Sequence, residues 1–356
     1  MPPELLSNMQ RDVPLAALTT IGIGGPARYY VRATTVDEVR EAVRWSREHG
    51  VALFVLAGGS NLLISDDGFD GLVLHIDLRG ITVESEDEYA MVKAAAGEPW
   101  DPFVAMTVAN GWAGVECLSG IPGSVGATPI QNVGAYGQEV AETIARVEAL
   151  DRTTDRVLSF TNWDCRFGYR SSLFKNHERE RYIVLNVTFR LRVGGEATVR
   201  YLELRKKLDE QGIAMGDLVH VREAVIAIRK RKGMVIDAAD PDTRSDGSFF
   251  MNPIIPAAAL DPFLTKARTL LGDGMAPPHF PSGDEVKLSA AWLIEHAGFE
   301  KGFVHGNVGL SSKHSLAVIN RGGGTAREVK ELVAMIQERV KERFGVEIEP
   351  EPNFVG

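Results

Sequence analysis

A glycine-rich stretch near the start of the chain is the first candidate for holding a cofactor phosphate. In residues 19–31, TTIGIGGPARYYV, the residues Gly22, Gly24 and Ala27 match the dinucleotide-binding fingerprint G-x-G-x-x-G/A. That fingerprint requires a strand before the glycines and a helix after them, because the helix N-terminus faces the pyrophosphate. Pro26 and the aromatic, β-branched RYYVRA predict a strand where the helix should begin. A Rossmann dehydrogenase is therefore disfavoured.

The predicted helix begins later in the sequence, and a strand and a second candidate binding site follow it. Thr35 and Glu38 form a capping-box pattern, and apolar residues at helical spacing follow as far as Gly50. The apolar segment VALFVLA at 51–57 then predicts a buried strand, which completes a β-α-β crossover. Open α/β sheets bind ligands at the carboxyl ends of their strands. The GGSN turn at 58–61 is therefore a predicted binding turn.

A longer glycine-rich run, GIPGSVGATPIQNVGAYGQEV, occupies residues 120–140. Residues without side chains allow backbone amides to approach a pyrophosphate or an isoalloxazine ring closely. A surface loop that uses glycine only for its turns is the alternative interpretation. A loop of this length inside a compact domain is usually functional, and we favour binding.

Composition and charge limit the classes of function. The chain has 356 residues, 44% hydrophobic and 24% charged, which suggests about two or three domains. Its net charge of −9 makes it a poor general nucleic-acid binder, although a local basic pocket could hold a small anion. Two cysteines, no signal-peptide pattern and no apolar run of roughly 20 residues predict a cytoplasmic protein without a membrane partner. Eight scattered histidines suggest no metal site.

Periodicity predicts the remaining elements. Residues 181–193 alternate as a half-buried strand, and YLELRKKLDEQG and VREAVIAIRKRKG are helical patterns. A final helix runs from Thr325 to Phe344 before a C-terminal strand. The basic cluster at 229–232 fits either a solvated helix end or a phosphate-facing pocket.

Five motifs in order carry a family resemblance: GGSNLL at 58–63, GIPGSVGATPIQNVGAYG at 120–137, CRFGYRSSLFK at 165–175, SDGSFFMNP at 245–253 and IEPEPNFVG at 348–356. With them the chain resembles the UDP-N-acetylenolpyruvoylglucosamine reductase family over almost its whole length. VRYLEL and ATPIQN resemble the longer, type I form. Nothing in the sequence requires an oligomer, and we expect a monomer.

The resemblance implies an α+β chain with a vanillyl-alcohol-oxidase/PCMH-type FAD-binding fold of two subdomains and a separate α+β substrate-binding domain. The implied boundaries are 1–82 for the first subdomain, joined by a C-terminal strand at 346–356, then 83–225 for the second and 226–345 for the substrate domain. One FAD is the implied cofactor, and NADPH is the implied co-substrate.

The implied reaction belongs to peptidoglycan precursor synthesis. NADPH reduces the FAD, and the reduced flavin passes a hydride to the enolpyruvyl group of a UDP-sugar, giving UDP-N-acetylmuramate. Electrons then move toward the substrate carboxylate, which needs a fixed positive charge, and Arg170 fits that need. A protonated Glu351 could donate a hydrogen bond to the intermediate, and Ser248 matches the proton donor, with Lys232 able to stabilise the alkoxide.

Each of these roles has a plainer alternative. Arg170 could form a structural ion pair, Glu351 could lie in a solvated acidic terminus, and Ser248 could be a turn residue. The whole chain could also be a flavoprotein oxidase of the same fold acting on another substrate. A non-catalytic sensor that binds a nucleotide sugar is a third possibility.

Binding residues carry over from the motifs in two groups. The expected flavin contacts are Gly58, Gly59, Ser60, Asn61, Ile121, Gly123, Ser124, Gly126 and Tyr169. The expected substrate contacts are Tyr201, Lys232, Asn252, Lys301 and His314. Two positions depart from the family pattern, since Met251 replaces a usual lysine and Phe280 stands where a tyrosine often occurs.

Overall fold

The structure, a computed structural model, describes residues 5–85, 87–272 and 274–356. The helices are α1 Val36–Glu48, α2 Trp100–Ala109, α3 Leu202–Glu210, α4 Leu218–Arg231, α5 Leu260–Leu271, α6 Ala290–His296 and α7 Ala326–Phe344. The strands are β1 Gln10–Pro14, β2 Pro26–Ala33, β3 Leu53–Leu56, β4 Leu62–Ile64, β5 Phe69–Ile76, β6 Ile81–Ser85, β7 Tyr89–Ala95, β8 Trp112–Ala113, β9 Gly134–Ala135, β10 Gln138–Glu139, β11 Ile144–Asp151, β12 Arg156–Thr161, β13 Tyr182–Val193, β14 Ser245–Ser248, β15 Ile254–Pro256, β16 His279–Ser282, β17 Glu285–Leu288, β18 Val304–His305, β19 Val308–Leu310, β20 Ala317–Asn320 and β21 Asn353–Val355.

The chain forms two compact units, each built from separate segments. The first unit contains the described residues up to Val13 together with Ala27–Gly59 and Phe69–Arg231. The second contains Pro14–Pro26, Ser60–Gly68 and Lys232–Gly356. The division into domains at 1–82, 83–225 and 226–345 stays a prediction.

The β-α-β crossover is confirmed in the first unit. Strands β2 and β3 both run parallel to β5, which lies between them in the order β1-β2-β5-β3. Helix α1 begins with the predicted capping box of Thr35 and Glu38. It packs on the sheet through Trp45, whose ring centroid lies 5.1 Å from that of Tyr29 on β2. Because β2 directly follows the first glycines, that fingerprint does not open a helix.

A second sheet in the first unit has the order β12-β11-β13-β7-β6, with β8 pairing β13. The predicted alternation along β13 is confirmed, because one face is at most 2% exposed at Ile183, Leu185, Val187, Phe189 and Leu191. Phe189 packs against Trp100 and Phe103 of α2, with ring centroids 5.8 and 4.9 Å away. This aromatic cluster fixes the start of α2 against the sheet.

The second unit contains a sheet of order β14-β20-β19-β18, a sheet of order β15-β17-β16, and the parallel pair β21-β4. Helix α7 covers a core that includes Phe249, Leu293 and Ile336, all fully buried. The predicted C-terminal strand is confirmed in part, since only Asn353–Val355 pairs as a strand. Among the described residues, no helix combines the length and apolar composition needed to cross a bilayer.

The capping box of α7 generates a stability prediction. The Thr325 hydroxyl accepts a hydrogen bond from the Glu328 N–H at 3.1 Å, and the Glu328 carboxylate accepts from the Thr325 N–H at 2.9 Å. Thr325→Ala leaves that helix N–H without its side-chain acceptor and should lower the free energy of unfolding by about 1 kcal/mol. The urea midpoint of unfolding measures the change.

The matched control is Thr269→Ala, because Thr269 lies inside α5 and its hydroxyl only bonds the Thr265 carbonyl oxygen of the preceding turn. Alanine is a better helix former there, so this variant should change stability by less than about 0.5 kcal/mol. Equal losses in both variants would contradict a capping contribution.

Candidate functional site

The glycine-rich loop 120–137 is fixed to the junction between β7 and α2 in the first unit. The Trp100 N–H donates to the Gly123 carbonyl oxygen at 3.0 Å, and the Val125 N–H donates to that of Glu98 at 2.8 Å. The Gly126 N–H donates to the Ala96 carbonyl oxygen at 2.9 Å. The loop is therefore held by backbone hydrogen bonds on both sides of Ser124.

Two of the glycines are required by close backbone contact. A Cβ on Gly58 would lie 2.5 Å from the Gly123 Cα, and a Cβ on Gly126 would lie 2.4 Å from the Ala96 Cβ. The GGSN turn and the loop 120–137 therefore touch through bare backbone. The Ser124 Oγ is buried beside this contact, without a hydrogen-bond partner in the described part of the chain. A buried hydroxyl without a protein partner, beside two glycine-rich segments, suits a cofactor with polar groups, such as the implied FAD.

An ionic contact that sequence reasoning missed anchors the start of this loop. Asp101, in the first turn of α2, accepts a hydrogen bond from the Gly120 N–H at 2.5 Å. Its two carboxylate oxygens also accept from Arg222 of α4 at 2.7 and 2.9 Å. Burial opposes ionisation, but donation by Arg222 and Gly120 outweighs it and lowers the pKa of Asp101. No local pattern could have revealed this contact, because Asp101 and Arg222 are 121 positions apart.

Arg170 lies in a tight turn of the first unit. Gly168 and Ser171 close the turn, each accepting the other's N–H through its carbonyl oxygen at 3.0 and 3.2 Å. Arg170 has φ +52°, a left-handed conformation that costs a non-glycine residue about 1 kcal/mol or more. Its guanidinium donates to the Gly134 carbonyl oxygen at 2.8 Å and lies 5.4 Å from the Tyr169 ring centroid. The turn thus places a fixed cation beside the loop 120–137.

Three polar side chains hold that turn in place. Asn132 donates to the Gly168 carbonyl oxygen at 3.0 Å, and Lys175 donates to the Arg170 carbonyl oxygen at 3.0 Å. The Ser172 hydroxyl donates to the Ile130 carbonyl oxygen at 2.5 Å and also caps the π-helical turn Leu173–His177. The motifs GIPGSVGATPIQNVGAYG and CRFGYRSSLFK therefore form one hydrogen-bonded assembly.

The basic cluster at the end of α4 divides between two environments. Arg229 is only 8% exposed, and burial lowers its pKa, whereas the Arg231 side chain is 61% exposed and pairs with Glu203 at 3.3 Å. A hydrogen bond links Arg229 to Tyr136, and burial raises the pKa of Tyr136 to about 12. Tyr201 packs edge-on against Tyr136 at 5.6 Å. A solvated helix end therefore describes Arg231 but not Arg229.

In the second unit the structure joins the Ser248 and Glu351 motifs. Ser248 ends β14, opposite Ala317 of β20. The Glu351 N–H donates to the Phe249 carbonyl oxygen at 2.8 Å, and the Met251 N–H donates to that of Glu349 at 2.9 Å. Both Ser248 and Glu351 are half-buried. Segments about one hundred positions apart in the sequence are thus neighbours through a short backbone ladder.

The GGSNLL motif joins the same ladder. The Asn61 side chain donates to the Glu351 carbonyl oxygen at 3.3 Å, and the Asn353 N–H donates to the Asn61 carbonyl oxygen at 3.0 Å. Strand β21 then continues parallel to β4. Three of the five motifs therefore meet within the second unit.

The expected substrate contacts occupy varied positions. The Asn252 Oδ1 accepts from the Ala290 N–H at 3.0 Å and so caps the start of α6. Lys232 and His314 are half-buried, Lys301 is exposed, and Phe280 is 55% exposed on β16. In the described part of the chain, no three His, Cys, Asp or Glu side chains are grouped as metal ligands.

The predicted site residues divide between the two units. The first contains Arg170, Tyr169 and Tyr201, with the expected flavin contacts Gly58, Gly59, Ile121, Gly123, Ser124 and Gly126. The second contains Ser248, Glu351, Ser60, Asn61, Lys232, Asn252, Lys301 and His314. The functional roles of these residues stay predictions.

Two family models match the chain. An "FAD binding domain" matches residues 27–160, and "UDP-N-acetylenolpyruvoylglucosamine reductase, C-terminal domain" matches residues 240–355. Curated reductases of that name are similar to it in Thermobifida fusca, at 46% identity over 99% of both chains, and in Streptomyces coelicolor, at 48% over 97% of this chain and 90% of the relative. The Salinispora arenicola reductase is 47% identical over 99% of this chain and 98% of its own.

Two solved structures share the fold. The crystal structure of the Thermus caldophilus UDP-N-acetylenolpyruvylglucosamine reductase superposes with a TM-score of 0.65 at 24% identity, over 98% of this chain and 100% of the other. p-Cresol methylhydroxylase with substrate bound gives 0.51 at 13% identity, over 95% and 85%. The predicted α+β, PCMH-type fold is confirmed. With relatives at 46–48% identity across nearly its full length, the chain belongs to the UDP-N-acetylenolpyruvoylglucosamine reductase family.

Proposed function

We propose that this protein is an FAD-dependent oxidoreductase that uses NADPH to reduce UDP-N-acetylglucosamine enolpyruvate to UDP-N-acetylmuramate, a precursor of peptidoglycan. The observation that carries the proposal is the backbone ladder between residues 249–251 and 349–351, which places the Ser248 and Glu351 motifs side by side. Family membership agrees with the same assignment.

The residues that would hold FAD are Gly58, Gly59, Ser60, Asn61, Ile121, Gly123, Ser124, Gly126 and Tyr169. Their support is the close approach that Gly58 allows to Gly123 and Gly126 allows to Ala96, together with the buried Ser124 hydroxyl. The chemistry that FAD supplies when bound is hydride transfer from NADPH to the terminal carbon of the enolpyruvyl group.

Arg170 is the proposed electrostatic stabiliser. Hydride addition moves electron density onto the second carbon and its carboxylate, so a positive charge there lowers the barrier. The guanidinium is permanently charged and is planar, which suits a carboxylate. Side chains of the protein itself, those of Asn132, Ser172 and Lys175, hold its turn. Such preorganisation avoids a reorganisation cost during the reaction.

Ser248 is the proposed proton donor to the second carbon. One hydride and one proton add across the double bond, and the serine alkoxide left behind regains a proton from water. Phe249 and Phe250 follow it in sequence and are 0% and 2% exposed, so water is excluded from the adjacent backbone. Glu351, as a hydrogen-bond donor to the intermediate, and Lys232, as a cation for the alkoxide, complete the proposed chemistry.

The UDP-sugar is proposed to contact Tyr201, Lys232, Asn252, Lys301 and His314. Lysine ammonium groups suit a diphosphate because they act as point charges. Asn252 already uses its side-chain oxygen to cap α6, so its amide nitrogen is the group we assign to substrate. The substrate-binding domain at 226–345 is part of the same proposal.

Ser248→Ala tests the proposed reaction directly. In the purified yellow variant, NADPH should still bleach the flavin absorbance. The enolpyruvyl UDP-sugar should restore that absorbance about 10² to 10⁴ times more slowly than in the wild type, because a positioned acid is lost. Stopped-flow absorbance measures the two half-reactions separately. Ser159→Ala, at an exposed position on β12, is the control and should react normally. Wild-type protein that lacks FAD, or is reoxidised by oxygen but not by the sugar, would overturn the assignment.

Arg170→Lys tests charge placement. Lysine keeps the charge but loses the planar fork and its bond to the Gly134 carbonyl oxygen, so kcat should fall by about 10² to 10³. Steady-state oxidation of NADPH with saturating sugar measures this loss. Arg156→Lys, at an exposed position on β12, should leave kcat unchanged. An equal, small effect in both variants would remove Arg170 from the mechanism.

Gly58→Ala tests the cofactor cradle. The new Cβ would lie 2.5 Å from the Gly123 Cα, so the two loops must separate and FAD occupancy should fall. The ratio of flavin to protein absorbance after purification measures occupancy. Gly274→Ala is the matched control, because a Cβ there meets nothing within 4 Å. Full FAD occupancy in both variants would show that this backbone contact does not form the flavin site.

A further inference from the structure

Asp246 is a buried acid that the proposed mechanism does not use. It lies on β14, two residues before Ser248, and is 7% exposed. Its Oδ1 accepts a hydrogen bond from the Thr20 hydroxyl at 3.0 Å, and the Leu62 N–H also donates to the carboxyl group. The Oδ2 is buried without a hydrogen-bond partner in the described part of the chain.

The described segments that contact this carboxyl bring no compensating cation. Residues 20–22, strand β4 and strand β20 contain no charged side chain, and the preceding Arg244 is exposed. An isolated carboxylate in such surroundings loses its hydration without a counter-charge. Burial therefore raises the pKa of Asp246 from 3.8 to about 8, against the donation from Thr20 and Leu62. The raised pKa favours the neutral acid at pH 7.

The hydrogen bonds of Asp246 connect three of the sequence motifs. Thr20 belongs to the TTIGIGG stretch, Leu62 belongs to GGSNLL, and Asp246 itself belongs to SDGSFFMNP. Asn320 reinforces the arrangement, because its side chain donates to the carbonyl oxygens of Ile21 and Gly22 at 3.1 and 3.2 Å. The TTIGIGG stretch, which matches a dinucleotide fingerprint but opens no helix, therefore packs beside the strand that carries Ser248.

We propose that Asp246, as the un-ionised acid, is a positioning residue for Ser248. Its hydrogen bonds to Thr20 and Leu62 hold β14 in place and so determine where the Ser248 hydroxyl lies. Ionisation would place an uncompensated charge in this apolar setting and draw β14 toward water. The inference rests on the proposed function only for the role of Ser248 as proton donor.

Thermal unfolding as a function of pH tests the ionisation state independently of activity. The folded protein keeps the Asp246 proton up to about pH 8, whereas the unfolded chain releases it above about pH 4. Wild-type stability should therefore fall as pH rises between these values and level off above about pH 8. Asp246→Asn is isosteric and has no proton to release. Its melting temperature, relative to wild type, should rise from pH 5 to pH 8.

Holoenzyme melting curves followed by circular dichroism give this difference. Asp70→Asn is the control, because Asp70 is an exposed acid whose side chain is 86% accessible. The Asp70 variant should show no comparable pH-dependent gain. A difference between Asp246→Asn and wild type that is constant from pH 5 to pH 9 would show that Asp246 is already ionised, and the proposal would fail.

The positioning role is tested by separating the half-reactions. Asp246→Ala removes both acceptor oxygens, so flavin oxidation by the enolpyruvyl UDP-sugar should slow by about 10-fold or more, while flavin reduction by NADPH is unchanged. Asp246→Asn should retain the wild-type rate at pH 7 and keep it above pH 8, where the wild type slows. If the alanine variant does not fold, Thr20→Val should slow the same half-reaction by removing one donor.

These outcomes separate the inference from the proposed function. Wild-type enzyme that does not react with the sugar would overturn the proposed function and the positioning role, while the melting curves would still report the buried acid. A wild-type enzyme that does react, with Asp246→Ala or Thr20→Val slowing neither half-reaction, would overturn the positioning role alone. Slowing of both half-reactions equally would show general structural damage, and would also reject it.

Discussion

The short backbone ladder between residues 249–251 and 349–351 is the contact on which the proposed chemistry depends. It is made only of N–H and carbonyl groups, so the ladder itself uses neither the Ser248 hydroxyl nor the Glu351 carboxyl group. Backbone hydrogen bonds thus hold the segments of two partly buried polar residues side by side. Strand β21 extends this ladder by pairing with β4, which anchors the chain terminus in the second unit.

Hydrogen bonds to backbone atoms also hold the loops of the first unit. Side chains such as Asn132, Ser172 and Asp101 bond to backbone atoms of neighbouring loops, and none of them is a proposed catalytic group. Buried polar groups need partners, and backbone amides and carbonyls in glycine-rich loops supply them. These hydrogen bonds tie the long, irregular loops to one another.

Several residues of these loops have strained backbone conformations. Asn132, Tyr136, Arg166 and Arg170 all have positive φ values between 47° and 52°, although none is glycine. Such conformations persist only when surrounding contacts determine them, and they concentrate at functional sites. Their grouping in the loop 120–137 and the CRFGYRSSLFK motif agrees with the proposed role of Arg170.

Sequence alone determined the features that arise from neighbours along the chain. The capping boxes at Thr35 and Thr325 and the alternation along β13 follow from rules that act over a few residues. Pro26 and the strand after it were enough to reject the Rossmann interpretation. The five motifs placed the chain in its family, and with it the fold, because relatives at this identity share their backbone.

Only the tertiary structure decided which polar groups are buried and what they contact. Asp101 binds Gly120 and Arg222, Arg229 lies inside the first unit, and Asp246 is enclosed by Thr20 and Leu62. Each of these contacts joins segments that are distant in sequence, so no local pattern contains it. Burial sets the solvation of a charge, and the folded chain sets burial. The raised pKa of Asp246 therefore could not be predicted from the neighbouring residues in the sequence.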